Sequence, residues 1–301
     1  MYYTGFADEA ARDIDGQISA TRELGWKYIE SRNISGANIH NMPEDQFEIV
    51  AGKLKDAGVE INCFGSAVAN WAKDPTKPED VQKSFEELER ALARMQVLGT
   101  KLIRAMSFKM MKDRSPHDKE IENLVITNVK KMVALCEDAG VTYLHENCMN
   151  FGGQSPEHSL MLVEKIDSPN FKLLFDPGNP PLTDLRIGEG PYEKQKSWDF
   201  YTAVKDHISY VHIKDSRLKE EKPDCLFPPS SFYFPGEGGG DVEAIVKDLL
   251  ANGYDGPFSI EPHMDVVFHE EDNNHTKADA LKANYVEYGK RLMALVERCR
   301  A

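Results

Sequence analysis

Four hydrophobic runs in the second half of the chain each end on a residue able to hold a metal ion. They are Tyr143-Leu144-His145-Glu146, Leu173-Leu174-Phe175-Asp176, Tyr210-Val211-His212 and Phe258-Ser259-Ile260-Glu261. Three carboxylates and an imidazole suit a hard or borderline divalent cation such as Mn2+, Co2+, Mg2+ or Zn2+. Burying so many acids side by side is prohibitive unless a cation holds them ionised. The set Glu146, Asp176, His212 and Glu261 is therefore read as one metal site. Its two outer glutamates have a second use. A carboxylate on one side of a substrate accepts a proton from the carbon beside a carbonyl, and one opposite returns it. Glu146 and Glu261 are thus the candidate acid-base pair, and the chemistry they would support is an enediolate mechanism on a sugar.

Other residues are candidates for holding the substrate. Lys214 and Arg217 stand in the run His212-Ile213-Lys214-Asp215-Ser216-Arg217, where they would bind a hydroxyl, carboxylate or phosphate, or else pair at the surface with Asp215 or Glu220. Arg104 and Glu30 fall on strands whose ends face the barrel mouth, where a charge is hard to explain as packing. Trp71 offers an apolar wall for a sugar ring, or a cap on the barrel rim. His263 shares the inward parity of Glu261 and would sit behind the ligands or face the substrate. His145 has the opposite parity to Glu146 and is expected among the helices.

Four ligands far apart in sequence need a fold that brings strand ends together. Short β-type runs alternate with longer helical ones, giving eight strand candidates at 2–6, 27–32, 59–64, 101–106, 141–147, 171–176, 208–214 and 257–262. The intervening helices are expected at 13–24, 43–57, 78–98, 117–139, 156–166, near 198–204, at 241–250 and from about 278 to 300. Several close on a glycine that precedes the next strand. This alternation, with no change of composition between halves, predicts an α/β fold: a single-domain (β/α)8 TIM barrel over residues 1–301. The alternative, a doubly wound open sheet, would normally carry a glycine-rich loop after its first strand, and Gly5-Phe6-Ala7-Asp8 lacks that fingerprint. In the barrel the four ligands lie at the C-terminal ends of strands five to eight, neighbours along half of one rim.

Two connections on that rim are long, 177–197 and 216–240, and are read as active-site insertions. The second carries Phe227, Phe232, Tyr233 and Phe234. Its aromatics would cover the substrate or contact a partner subunit in a homo-oligomer, or else form a satellite core. Gly238-Gly239-Gly240 alone is a weak phosphate-loop signal.

Composition narrows the partners. A 301-residue chain with 41% hydrophobic residues can bury a full core, and a net charge of -14 opposes nucleic-acid binding. Five cysteines without a Cys-x-x-Cys pair argue against a disulfide framework and a thiolate zinc site. No basic leader and no apolar run of membrane-spanning length are found, so a cytoplasmic protein is expected.

The chain resembles the xylose-isomerase-like barrel superfamily of sugar phosphate isomerases and epimerases. That group includes tagatose 3-epimerases, hydroxypyruvate isomerases, inosose dehydratases and endonuclease IV. The resemblance covers essentially the whole chain. It is carried by His-Glu-Asn at 145–147, Phe-Asp-Pro-Gly-Asn at 175–179, Val-His-Ile-Lys-Asp at 211–215, Gly-Glu-Gly at 236–238 and Gly-Tyr-Asp-Gly-Pro-Phe-Ser-Ile-Glu-Pro at 253–262. It implies that Glu146, Asp176, His212 and Glu261 bind a divalent metal and that the two glutamates act as acid and base in ketose epimerisation. Epimerases of the group commonly have a histidine where this chain has Asn179. Asparagine can donate to a substrate oxygen but cannot shuttle protons near neutral pH. Endonuclease IV activity is not implied, because the histidines it needs on strands two and three are replaced by Glu30, Ser31, Asn62 and Cys63. The expected activity is metal-dependent isomerisation or epimerisation of a sugar or keto-sugar. The alternatives are a lyase or dehydratase using the same base, and a non-catalytic sugar-binding barrel.

Overall fold

Alternation of strand and helix runs the length of the computed structural model, which describes residues 1–221, 225, 227–264 and 277–300. Eight parallel strands form the central sheet: Tyr2–Gly5 (β1), Tyr28–Ser31 (β2), Glu60–Gly65 (β3), Leu102–Ala105 (β4), Thr142–Glu146 (β5), Phe171–Phe175 (β6), Ile208–Ile213 (β7) and Pro257–Ile260 (β8). Their order is β1-β8-β7-β6-β5-β4-β3-β2, and a parallel bridge between Phe6 and Glu30 joins the two ends of the row. The sheet is thus a closed barrel, as the eight sequence runs predict, with strand bounds shifted by only one or two residues.

Among the described residues eight α-helices surround it: Ile14–Glu23 (α1), Glu44–Ala57 (α2), Pro78–Leu98 (α3), Lys119–Asp138 (α4), Pro156–Ile166 (α5), Ser197–Val204 (α6), Val242–Ala251 (α7) and Lys277–Arg300 (α8). Local chemistry sets their ends. Asp13 and Asp118 accept the free backbone N–H groups at the starts of α1 and α4, and Ser155 followed by Pro156 opens α5. Gly58 and Gly99 stop α2 and α3 in the left-handed conformation, at φ 64° and 72°.

The core lies in two layers. Between barrel and helices, residues such as Phe64, Ile103, Tyr143, Phe175 and Val211 pack against Leu88, Val129, Leu162 and Leu292. Inside the barrel, Cys63, Leu144, Leu174 and Tyr210 form a small apolar plug. That plug is the floor beneath the four candidate ligands. His145 is buried outside the barrel, with Nε2 at 2.9 Å from Ser107 Oγ and its ring against Phe171, as its parity requires.

Sequence periodicity did not reveal two short antiparallel ribbons on the rim. One pairs Asn33–Ile34 with Ala37–Asn38, and the other pairs Asp215–Leu218 with Ser230–Tyr233. The second ribbon lies within the expected 216–240 insertion apart from its first residue, Asp215, and residues 222–224 and 226 of that insertion lie outside the described residues. No helix among the described residues is long and apolar enough to cross a membrane. All five cysteines are free.

Candidate metal centre

Glu146 is the last residue of β5, Asp176 and Glu261 follow β6 and β8 directly, and His212 lies one residue from the end of β7. All four side chains are buried, and one potential ligand atom from each lies within 4.8 Å of the others. His212 Nδ1 is central, 3.4 Å from Glu261 Oε2, 3.7 Å from Glu146 Oε1 and 4.0 Å from Asp176 Oδ2. Neighbouring amides hold the acids in place. Asn147 ties β5 to β6 by accepting from Asp176 N at 2.7 Å and donating to Asp176 O at 3.0 Å. Asn179 Nδ2 lies 3.2 Å from both Glu146 Oε1 and Asp176 Oδ2, so its amide is directed at two members of the cluster.

Positive side chains face these acids, but unevenly. Lys214 Nζ is 2.6 Å from Asp176 Oδ2 and 3.0 Å from Glu261 Oε2. Arg104 Nε is 3.5 Å from Glu146 Oε2, while Arg32 Nη1 and His263 Nε2 approach Glu261 Oε1 at 3.3 and 3.2 Å. Burial pushes the Glu146 carboxyl up, yet Arg104 and then His212 outweigh it and hold the group at about 2. Glu261 is likewise held well below the usual range against burial, by Lys214, His263 and His212. Asp176 goes the other way. Burial, with the charges of Glu261 and Glu146, outweighs Lys214 and raises its carboxyl to about 6. Three buried acids thus compete for the positive charge the protein supplies.

The residues fit a divalent cation. His212 Nδ1 is buried, has no hydrogen-bond partner and points among three carboxylates, while its Nε2 lies 3.0 Å from Glu30 Oε2. Carboxylate oxygens with one imidazole nitrogen are a donor set for Mn2+, Co2+, Mg2+ or Zn2+.

Above the cluster opens a cavity of about 370 Å³. Of the sequence candidates, Trp71, Arg104, Asn179, Lys214 and His263 line it together with Glu146 and Glu261. Arg217 does not. It is exposed on the ribbon, donates to the carbonyls of Glu237 and Gly238, and stacks over Tyr233 with its guanidinium carbon 5.1 Å from the ring centre. The insertion's aromatics divide between the two roles considered. Phe227 and Phe232 line the cavity, Phe227 meeting Trp71 edge-on at 4.8 Å, whereas Phe234 packs against Tyr288 in the core. Sequence reasoning missed Arg32, which bridges Asp8, Glu9 and Glu261 beside the cavity. Its position, one residue past the end of β2 on the rim that carries the cluster, was the available signal.

The glycine-rich turn binds an anion of its own. The Asp215 carboxylate accepts from Gly236, Gly238, Gly240 and Ser216 N–H groups at 2.8–3.0 Å, so those donors are occupied within the chain. A Cβ on Gly238 would lie 2.1 Å from Asp215 Oδ1, which explains the glycine. Asp215 follows Lys214 directly, so this knot fixes the end of β7 where Lys214 and His212 emerge. Asp215→Ala is expected to lower stability by about 2–3 kcal/mol, because the buried Gly240 N–H loses its partner and the turn its organising charge. Denaturant unfolding measures it, and a loss below about 0.5 kcal/mol would show the turn to be self-supporting.

A closed parallel barrel with its polar cluster at the C-terminal strand ends has the layout of barrel enzymes. The chain belongs to the xylose isomerase-like TIM barrel family, whose model matches residues 18–284. It is 32% identical over 151 residues to an inosose dehydratase of Clostridium botulinum, an alignment covering 48% of this chain and 47% of that protein. The chain therefore spans about half the length of the curated relatives it matches. In structure it is similar to D-psicose 3-epimerase with D-tagatose from Clostridium cellulolyticum H10, with a TM-score of 0.68, 14% identity, and 98% and 99% of the two chains covered. It is also similar to a xylose isomerase-like TIM barrel protein from Mycobacterium smegmatis in complex with magnesium, with a TM-score of 0.66, 15% identity, and 98% and 97% coverage.

Proposed function

We propose that this protein is a divalent-metal-dependent enzyme that removes a proton from the carbon beside the carbonyl of a sugar-derived or polyol-derived ketone and then expels a hydroxyl as water. The observation that carries the reading is the convergence of Glu146, Asp176, His212 and Glu261, the two glutamates of which line a cavity that Trp71 and Phe227 also line. Those four residues would hold the ion. When bound, it would draw electron density from the carbonyl and so acidify the neighbouring C–H.

The chain's own groups supply the rest. Glu146 or Glu261 takes the proton as the C–H bond breaks, and the electron pair forms the new double bond as the C–O bond one carbon further on opens. The departing oxygen needs a proton, and Lys214, Arg32 and His263 gather N–H donors on the Glu261 side of the cavity. Trp71 and Phe227 offer an apolar wall to the C–H face of the substrate. Asn179, turned toward Glu146 and Asp176, orients acids and transfers no proton. Similarity to inosose dehydratases supports elimination as the outcome.

A second reading, isomerisation or epimerisation, is favoured by the pair Glu146 and Glu261, which approach His212 Nδ1 from two different strands. Incubating Mn2+-loaded protein with inososes and keto-hexoses in D2O separates the two. Elimination removes one water from the substrate mass, whereas isomerisation keeps the mass apart from deuterium gained at carbon. The absence of both water loss and deuterium uptake across the panel would overturn the proton-abstraction reading for these ketones.

A further inference from the structure

We propose that Glu30 is a positioning residue for the ion: a carboxylate beneath the cluster that fixes the His212 ring with its Nδ1 lone pair turned toward the three acids. The inference rests on the metal reading above and extends it to a residue that lies outside the ligand set. Glu30 belongs to β2, across the barrel from β7, and is fully buried. Its Oε2 lies 3.0 Å from His212 Nε2, 2.7 Å from the Tyr210 hydroxyl and 2.5 Å from Ser259 Oγ.

The direction of these bonds is set by what feeds them. Thr4 Oγ1 donates to Asn62 Oδ1 at 2.8 Å, and Asn62 Nδ2 donates to the Tyr210 hydroxyl at 3.1 Å. Tyr210 must then pass its own proton to Glu30, so the carboxylate is the acceptor at the end of a chain that begins on β1. An acceptor at Nε2 requires the imidazole N–H to be there, and the neutral ring then presents its lone pair at Nδ1. Nδ1 is the buried atom without a hydrogen-bond partner, facing Glu146, Asp176 and Glu261.

Packing does not account for Glu30. Its second oxygen, Oε1, is buried with no hydrogen-bond partner, which costs stability that an apolar side chain would not cost. The position gains its use when the ring above it must bind an ion in one orientation, because an outer carboxylate on a liganding histidine both aligns the ring and makes it a stronger donor.

The test is Mn2+ binding by calorimetry on the chelator-stripped protein, with Co2+ absorption spectra as a second readout. Glu30→Gln keeps size and an acceptor oxygen but loses the charge, and is expected to weaken Mn2+ binding by about 10–100-fold and to alter the Co2+ spectrum. Tyr210→Phe removes another bond to the same oxygen while leaving the Glu30–His212 contact, and should change Mn2+ affinity less than about threefold. If Glu30→Gln does not fold, Glu30→Asp carries the same test, since it keeps the charge and withdraws the oxygen by one methylene. Mn2+ affinity within threefold of the parent in the folded variant, with only a lower Tm of the metal-free protein, would overturn the proposal and leave Glu30 a structural residue. A parent protein that binds no Mn2+ or Co2+ would instead overturn the metal reading itself, and this proposal with it.

Discussion

Glu146→Gln and Glu261→Gln are each expected to lower turnover of an accepted ketone by about 100-fold or more, with the loss exceeding any fall in ion occupancy. Glutamine keeps the volume of glutamate and an oxygen able to approach a cation, but it cannot take a proton. The two positions differ in their surroundings. Glu261 meets Lys214, Arg32 and His263, whereas Glu146 meets Arg104 and the Asn179 amide. The variants should therefore differ in kind. The one that removes the abstracting base abolishes exchange of the substrate C–H with D2O, and the other retains partial exchange while failing at full turnover. Ion content is measured on the same samples. Near-parent turnover in both variants at full occupancy would falsify the role of this pair and shift the base to another side chain lining the cavity.

The second large effect is on the ion itself. Purified protein is expected to hold about one divalent ion per chain after loading and dialysis, and to lose stability on chelation. A cation present at about 100 times its Kd stabilises a fold by about 2.7 kcal/mol, which amounts to several degrees of Tm at this chain length. His212→Ala removes the central nitrogen and Asp176→Ala removes a fully buried carboxylate, and either should abolish stable retention. The Asp176 variant also relieves the repulsion among three buried acids while Glu261 stays 3.0 Å from Lys214, so its metal-free form is expected to be at least as stable as the metal-free parent. Elemental analysis and thermal melts with and without EDTA give the answer. Retention at the parent level in both variants would remove them from the ligand set.

Most of what positions this site is legible in the sequence. Hydrophobic runs ending in Glu146, Asp176 and Glu261, helices closed by Gly58 and Gly99, and the count of eight strands are local signals, and the structure reproduces them nearly residue for residue. Parity alone placed His145 outside and His212 inside the barrel. What escaped depends on distance. Arg32 approaches Glu261 from the far side of the β1–β2 seam, and nothing within a few residues of either indicates the meeting. Arg217 took the surface alternative for a similar reason. It follows a strand that carries site residues, but the chain reverses into a ribbon there, and the side chain is drawn to the carbonyls of Glu237 and Gly238. The triple glycine read weakly as a phosphate loop because its donors are visible in sequence while their occupant, Asp215, is more than twenty residues upstream.

The chain order of the site divides it in two. All four candidate ligands come from the last four strands, whereas Arg32, Trp71 and Arg104, which shape one side of the cavity, come from the first four. The candidate ion ligands and much of the cavity wall therefore lie in separate halves of the chain. Divergence in the first half can reshape the cavity without touching the cluster, and the cluster can persist while the cavity changes. Glu30 is the exception, a first-half residue reaching under a second-half ligand. A chimera joining the first half of a relative to the second half of this chain would inherit this protein's ligands, but would keep them well oriented only if the incoming β2 brings an acceptor to the same place.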